Sequence, residues 1–309
     1  MSGGLAVRAA EYLQVRRALG FQLRSYDWLL SGFCAFADAR GAQVITTRVA
    51  LAWATEPQGA DRSWHAARLS AVRGFARWLA AIDPRTEIPP AGLLKGRSRR
   101  ADPYLYCEAE IAAVMNAAQA IASPLRAATY RTVIGLLAVT GMRVGEAIAL
   151  DRGDADLSEN VLTVRQAKFG KSRRLPLHPE TAAALRAYAQ LRDERFPRPA
   201  SPAFFMSLAG TRLIYNNVHL VFRRLTRDAG LRPRSARCRP RLHDLRHTFA
   251  VTALISWYDD GLPVQPRLPV LSAWLGHASP QDTYWYLHAV PELLTRAAER
   301  LEPLPGGPR

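Results

Sequence analysis

The stretch "RPRLHDLRHTFA", residues 239–250, concentrates side chains able to do chemistry, and two chemistries fit it. His243-Asp244-x-x-His247 is one methylene short of H-E-x-x-H, in which two imidazoles on one helical face hold zinc beside a carboxylate base. His243-x-x-Arg246 instead sets a proton-handling imidazole one helical turn from a fixed cation, the pairing that a phosphate demands. Residues 222–246 carry nine arginines against two aspartates, which favours an anionic partner around this motif.

Other residues extend the phosphate chemistry. Of 42 basic side chains only three are lysine: Lys95, Lys168 and Lys171. Lysine can give up a proton when its pKa is shifted, whereas arginine holds its own, so two lysines three apart in an arginine-rich chain raise the question of a proton donor beside that of plain turn residues. Arg143 follows a Thr140-Gly141 break at the start of a predicted helix, where unpaired N–H groups and the helix dipole attract anions, and Glu146 stands three residues on to brace it. His277, in "WLGHASPQ", follows Gly276 at a predicted turn. A protein that cuts and rejoins DNA without a metal needs fixed positive charge on the phosphate, a nucleophile, and a proton donor for the departing oxygen.

Four stretches, "TGMRVGEAIAL", "AKFGKSRRLPL", "HDLRHTFA" and "LGHASPQDTYWYLH", closely resemble in order and spacing the signature boxes of the tyrosine recombinases, the phage integrase family. The resemblance covers roughly residues 103–290. It implies that Arg143 and Arg246 clamp the phosphate and that Lys168 protonates the 5′-oxygen leaving group. His243 matches the first histidine of the arginine-histidine box, and His277 the last histidine or tryptophan position. Tyr286, nine residues beyond His277, matches the nucleophile, with Tyr284 two positions early on the same helix. Its phenol, with a pKa of about 10, must lose a proton during attack, and His243 is the expected acceptor. Asp244 and His247 become supporting residues, and Lys171 at the hairpin tip a DNA backbone contact.

The implied reaction passes through a 3′-phosphotyrosyl bond and a free 5′-hydroxyl, with no metal, ATP or other cofactor. The implied partner is double-stranded DNA, with four protomers on two sites. Chains of this look are often transposon-encoded, sometimes beside sister recombinases. The zinc reading fails on chemistry: Asp244 is a short base, Arg246 sets a cation beside the metal, and no third ligand follows at useful spacing. Two rival functions stand beside recombination, a monomeric type IB topoisomerase and a catalytically silent DNA-binding regulator. One departure from the family pattern is "YDDGLPVQPRLPVLSAWLGH", longer and richer in proline than the usual stretch before the last histidine.

The elements that must carry these residues are mostly helical. Residues 1–82 show apolar positions at three-to-four spacing, as in Tyr26, Leu29, Leu30, Phe33 and Ala37 and again in Leu69, Val72, Phe75, Ala76 and Leu79, with a short helix capped by Thr46 or Thr47. Arg73 and Arg77, one turn apart, are candidate phosphate contacts. Residues 83–103, rich in Pro, Gly and Arg, read as a basic linker. A helix then starts with Glu108 and Glu110 in its first turn, and "ENVLTVRQAKFGKSRRLPL" reads as a β-hairpin turning at Phe169-Gly170. Further helices are predicted at 179–194, 215–229, 243–258 and about 291–301.

The expected fold is mainly α with a small β-hairpin or sheet, in two domains. Residues 1–82 form a helical core-binding domain of SAM-like type and 104–303 the catalytic domain, with 304–309 a disordered tail. By resemblance the two make a C-shaped clamp on DNA. The chain of 309 residues is long enough for two cores, and its formal charge of +16 suits a polyanionic partner. Cys34, Cys107 and Cys238 are odd in number and far apart, and no signal peptide or run of 18 apolar residues is present, so a soluble cytoplasmic protein is expected.

Overall fold

The computed structural model describes residues 4–21, 23, 25–94, 102–165, 172–277, 279 and 281–289. The chain divides into two compact units, residues 1–100 and 101–309. The first unit holds helices α1 (Leu5–Ala18), α2 (Tyr26–Asp38), α3 (Thr47–Thr55) and α4 (Arg62–Leu79). Their stripes meet in a core of Leu30, Phe33, Trp53, Leu69, Val72 and Phe75, each side chain removed from water at a gain of about 1.5–3 kcal/mol. Two starts are capped: Thr46, one of the two threonines expected to cap this helix, accepts through Oγ1 from the Val49 N–H at 3.2 Å, and Asp61 accepts from the Ser63 N–H at 2.6 Å.

The first part of the predicted linker is bound to this unit. Glu87 donates its N–H to the Ile45 carbonyl at 2.8 Å, and its carboxylate accepts from the Thr47 N–H at 2.7 Å. Arg73 donates to the carbonyls of Pro89 and Pro90 at 2.8 and 3.0 Å. Prolines offer carbonyls without a competing N–H, so this Pro-rich strip can be read only by donors.

The second unit runs α5 (Glu108–Gln119), α6 (Pro124–Thr140), α7 (Val144–Ala149), three short strands, then α8 (Pro179–Arg195), α9 (Tyr215–Asp228), α10 (Asp244–Asp259), α11 (Leu268–Leu275) and α12 (Gln281–Ala289). The strands β1 (Ala155–Asp156), β2 (Val161–Val164) and β3 (Arg173–Pro176) form one antiparallel sheet in that order. Leu162 pairs with Leu175 and Val164 with Arg173. The expected hairpin is therefore present, with β1 an added edge strand. The predicted turn at Phe169-Gly170, with Lys168 and Lys171, lies outside the described residues, as do Lys95, the predicted helix near 291–301 and the tail.

The stretch before the last histidine, expected to be longer than usual, is built from the end of one helix, a turn and a second helix. α10 runs on to Asp259, a turn at Gly261 reverses the chain, and a 3₁₀ turn over Gln265–Arg267 leads into α11. α11 was not expected, because "LPVLSAWL" is short and apolar without a helical period. Among the described residues, no helix is long and apolar enough to cross a membrane.

Candidate active site

Two left-handed glycines make the site possible. α6 ends at Gly141, with φ +61°, where an added Cβ would lie 2.5 Å from the Phe249 ring. α11 ends at Gly276, with φ +66°, where a Cβ would lie 2.6 Å from Arg173 Nη1. Only glycine tolerates both the conformation and the crowding. Each turn leaves helix-end carbonyls pointing away from their own helix, at the negative end of its dipole, and these carbonyls receive the arginines.

Arg246, on the first turn of α10, is only 3% exposed. It donates from Nη1 to the Gly141 carbonyl and from Nη2 to the Leu275 carbonyl, both at 2.8 Å. Burial, reinforced by the positive charge of Arg143, pushes its pKa down to about 10, which still leaves it charged at neutral pH. Each of its terminal nitrogens carries a second N–H, so anchoring the fork does not exhaust it.

Arg143 is the N-cap residue of α7 rather than lying one residue inside the helix, as the sequence suggested. With 30% of its side chain exposed, it donates from Nη1 to Glu146 Oε1 and from Nη2 to the Gly276 carbonyl, both at 2.9 Å. Glu146 braces it as expected and does more. The same carboxylate accepts the Arg143 backbone N–H at 2.9 Å and two bonds from Arg173, at 3.2 and 2.8 Å. Burial alone would raise the Glu146 carboxyl, but Arg173 and Arg143 outweigh it and hold its pKa below the usual value. Two guanidiniums thus share one carboxylate beside the cation of Arg246, and the surplus positive charge suits an anion.

Arg173 was not foreseen. It sits at the start of β3, donates from Nε to the Trp274 carbonyl at 2.7 Å, and ties the hairpin base to the turn that carries His277. A signal was present in the alternation Arg173-x-Leu175-x-Leu177, which puts the arginine on the inward face of its strand.

His277 and Tyr286 close the other side. His277 Nδ1 lies 2.7 Å from the buried Thr283 hydroxyl. Burial, then the charges of Arg246 and Arg143, depress its pKa to about 4, so the ring is neutral at pH 7. The Tyr286 ring is 2% exposed and stacks near that of His277, with centroids 6.3 Å apart. Its hydroxyl lies 3.1 Å from His247 Nδ1. His243, at the N-cap of α10, is exposed and packs edge-on against His247 with ring centroids 4.9 Å apart. The sequence assigned the phenol to His243 and gave His247 a supporting place; the structure sets His247 against the phenol. Tyr284 is 37% exposed on the same helix.

The zinc geometry is not built. Asp244 is fully buried and held by a two-point pairing with Arg241, at 2.9 and 2.8 Å. Its pKa is raised by burial, against the lowering influence of Arg241. Among the described residues, no three His, Cys, Asp or Glu side chains are grouped to hold a metal ion. Behind α10, Tyr106 donates its N–H to Thr248 Oγ1 at 3.0 Å and its hydroxyl to the Arg241 carbonyl at 3.1 Å, fixing the helix start. Of the remaining candidates, Arg77 is exposed on α4 and Arg73 is half-buried on its proline carbonyls.

Comparison with known proteins bears on this geometry directly. The sequence profile described as Phage integrase family matches residues 107–292. The chain belongs to that family. A Sinorhizobium fredii protein named as an integrase/recombinase, y4rB, is 45% identical over 298 residues, covering 94% of this chain and 95% of its own. Among solved structures, the Tn1549 transposon integrase in complex with transposon right end DNA matches with a TM-score of 0.66 at 16% identity, over 97% of this chain and all of the other. A lambda integrase tetramer bound to a Holliday junction matches with a TM-score of 0.58 at 20% identity, over 92% and 77% of the two chains. The mostly helical architecture with a small antiparallel sheet is thus that of tyrosine recombinases, enzymes that break and rejoin DNA, and this recombinase shares that activity.

Proposed function

We propose that this recombinase cleaves and rejoins DNA at a specific site through attack of Tyr286 on the scissile phosphate. The observation that carries the reading is the convergence of Arg143, Arg246, His277 and Tyr286, drawn from three separate stretches, on one arginine-rich pocket. Arg246 is the deep, pre-oriented clamp and Arg143 the more exposed one, and together they neutralise the charge that develops on the non-bridging oxygens. With Nδ1 turned to Thr283, neutral His277 offers Nε2 to a phosphate oxygen. The phenolic proton leaves to the imidazole pair at the start of α10, His243 and His247. Lys168 protonates the departing 5′-oxygen. The energy of the broken bond is kept in the 3′-phosphotyrosyl link, so a 5′-hydroxyl reverses the step without ATP, and the arginines make a metal unnecessary.

Double-stranded DNA is the substrate, and the working assembly is a homotetramer on two DNA sites, a reading supported by the likeness to a lambda integrase tetramer bound to a Holliday junction. Residues 1–82 are the core-binding domain and 104–303 the catalytic domain. Lys171, Arg73 and Arg77 add backbone contacts. A transposon is a fitting host element, since the Tn1549 integrase is similar along nearly the whole chain, and sister recombinases are fitting partners. The protein works where the chromosome is, in the cytoplasm.

The test is covalent capture. The wild-type chain, incubated in excess EDTA with a randomised pool of nicked duplexes, is expected to form a denaturant-resistant protein–DNA adduct enriched for one sequence. Tyr286→Phe is expected to bind that duplex equally and form no adduct, while Tyr284→Phe forms it normally. An adduct in the Tyr286 variant, or activity abolished by EDTA and restored by zinc, overturns the assignment. Failure of the captured site to assemble two duplexes favours a monomeric topoisomerase, and failure to form any adduct favours a silent regulator.

A further inference from the structure

We propose that His247 is the group that takes the proton from the Tyr286 hydroxyl during attack, a role that rests on the reading of Tyr286 as the nucleophile. The contact is direct, with His247 Nδ1 3.1 Å from the phenolic oxygen, inside the range for proton transfer. It is also rigidly held. His247 follows Arg246 in α10, and Arg246 is anchored to the ends of two other helices through Gly141 and Leu275. The imidazole that meets the nucleophile is thus set by the same helical turn as the deep phosphate clamp. Trp285 packs against the His247 ring and the Tyr286 ring, each at 5.3 Å between centroids, and so holds both partners of the bond.

Three of the neighbouring bases are committed elsewhere, while His243, exposed at the N-cap, packs edge-on against His247. His277 stacks on the phenol, but its Nδ1 faces Thr283 and its pKa of about 4 leaves it too weak to keep a proton at pH 7. Glu146 is bound by Arg143 and Arg173, and Asp244 by Arg241. An imidazole in direct contact with the phenolic oxygen, by contrast, is placed to act as its general base. In the step itself the phenolic O–H bond breaks and its proton passes to His247 Nδ1. The phenolic oxygen bonds to phosphorus as the bond from phosphorus to the 5′-oxygen breaks, and that oxygen takes its proton from the general acid. In the reverse step the His247 imidazolium returns its proton to the departing phenolate.

The experiment measures single-turnover adduct formation on the nicked duplex captured with the wild-type chain. His247→Ala is expected to slow it by about 10²–10⁴-fold, the usual contribution of a positioned base, with DNA affinity within about two-fold of wild type. Free imidazole is expected to restore the rate of His247→Ala at least about tenfold, as a diffusible base replacing the lost one. His247→Gln, which keeps a hydrogen-bonding group without basicity, is expected to be as slow as the alanine variant and guards against a loss due to folding alone. Unchanged or faster cleavage by His247→Ala overturns the proposal, since the bond would then only restrain the phenol. So does a near-normal rate for His247→Gln, or a defect in His247→Ala that imidazole leaves untouched. In all of these cases an adduct formed by wild type and absent in Tyr286→Phe leaves the nucleophile standing, whereas an adduct persisting in Tyr286→Phe overturns the nucleophile itself.

Discussion

The two units of this recombinase solve different problems with the same arginine-rich alphabet. In the N-terminal unit the basic side chains are used close to home: Arg68 donates to the Trp53 carbonyl 15 residues away and Arg73 to Pro89 16 residues away. Arg68 also lies over the Trp53 ring, 3.8 Å from its centroid, a cation–π contact that lets a buried guanidinium share the apolar core. In the C-terminal unit the candidate clamp arginines and Arg173 reach much farther. Arg246 bonds a carbonyl 105 positions away, Arg143 one 133 away and Arg173 one 101 away. The first unit is thus a scaffold whose arginine contacts close short loops. The second concentrates charge, against its own repulsion, by anchoring each cation on helix-end carbonyls, with two of them also sharing the Glu146 carboxylate. That repulsion makes the pocket an anion site.

The contrast predicts that chemistry and stability come apart between the units. The largest effect is expected at Lys168. Lys168→Ala and Lys168→Arg should both cleave the captured duplex about 10²–10⁴-fold more slowly, because arginine holds its proton too tightly to act as an acid. Replacing the bridging 5′-oxygen with sulfur supplies a leaving group with a pKa of about 8.5, by analogy with cysteine, that departs unprotonated. Both variants should then recover toward the wild-type rate. Equal defects on oxygen and sulfur would leave Lys168 a DNA contact like Lys171.

Arg143→Lys comes next. Lysine keeps the charge but cannot bond Glu146 and the Gly276 carbonyl with one planar fork, and we expect a loss of about 2–4 kcal/mol in transition-state stabilisation. The sulfur substrate should not rescue it, since the defect lies in charge stabilisation. A rate near wild type would remove Arg143 from the clamp.

A pH effect should follow from the same cluster. The folded pKa of His277, about 4, lies below the ordinary imidazole value, so between the two the unfolded chain binds a proton that the folded chain refuses. Stability is therefore expected to fall as pH drops from about 6.5, the ordinary imidazole value, toward the folded value. In denaturant titrations across that window, His277→Gln should lose less stability than wild type. Parallel curves would show that the arginine field does not reach this ring.

The smallest effect belongs to the scaffold. Thr46→Ala removes the cap of α3 and should cost about 1 kcal/mol of stability in the N-terminal unit. Adduct formation per folded molecule should not change. A large change in the cleavage rate would show that the units are coupled more tightly than their local bonding suggests.

The sequence by itself determined the periodic and the punctuated parts of this protein. The helical stripes of α2 and α4, the Thr46 cap, the acidic first turn of α5, the hairpin strands and the glycine break at Gly141 were legible because each depends on residues within a few positions of one another. That Arg143, Arg246, His277 and Tyr286 belong to one candidate set was legible as well, since four boxes in order carry a joint signal that none carries alone. The tertiary structure decided how they are held. The sequence could not indicate that Glu146 would serve Arg173 as well as Arg143, or that Arg246 would rest on the carbonyls of Gly141 and Leu275. Backbone carbonyls belong to every residue, and which of them turn toward a guanidinium depends on where two helices end. Nor could the choice between His243 and His247 be read from spacing. One helical turn separates them, and what sets His247 against the phenol is the docking of α12, 39 positions farther along, onto the face of α10.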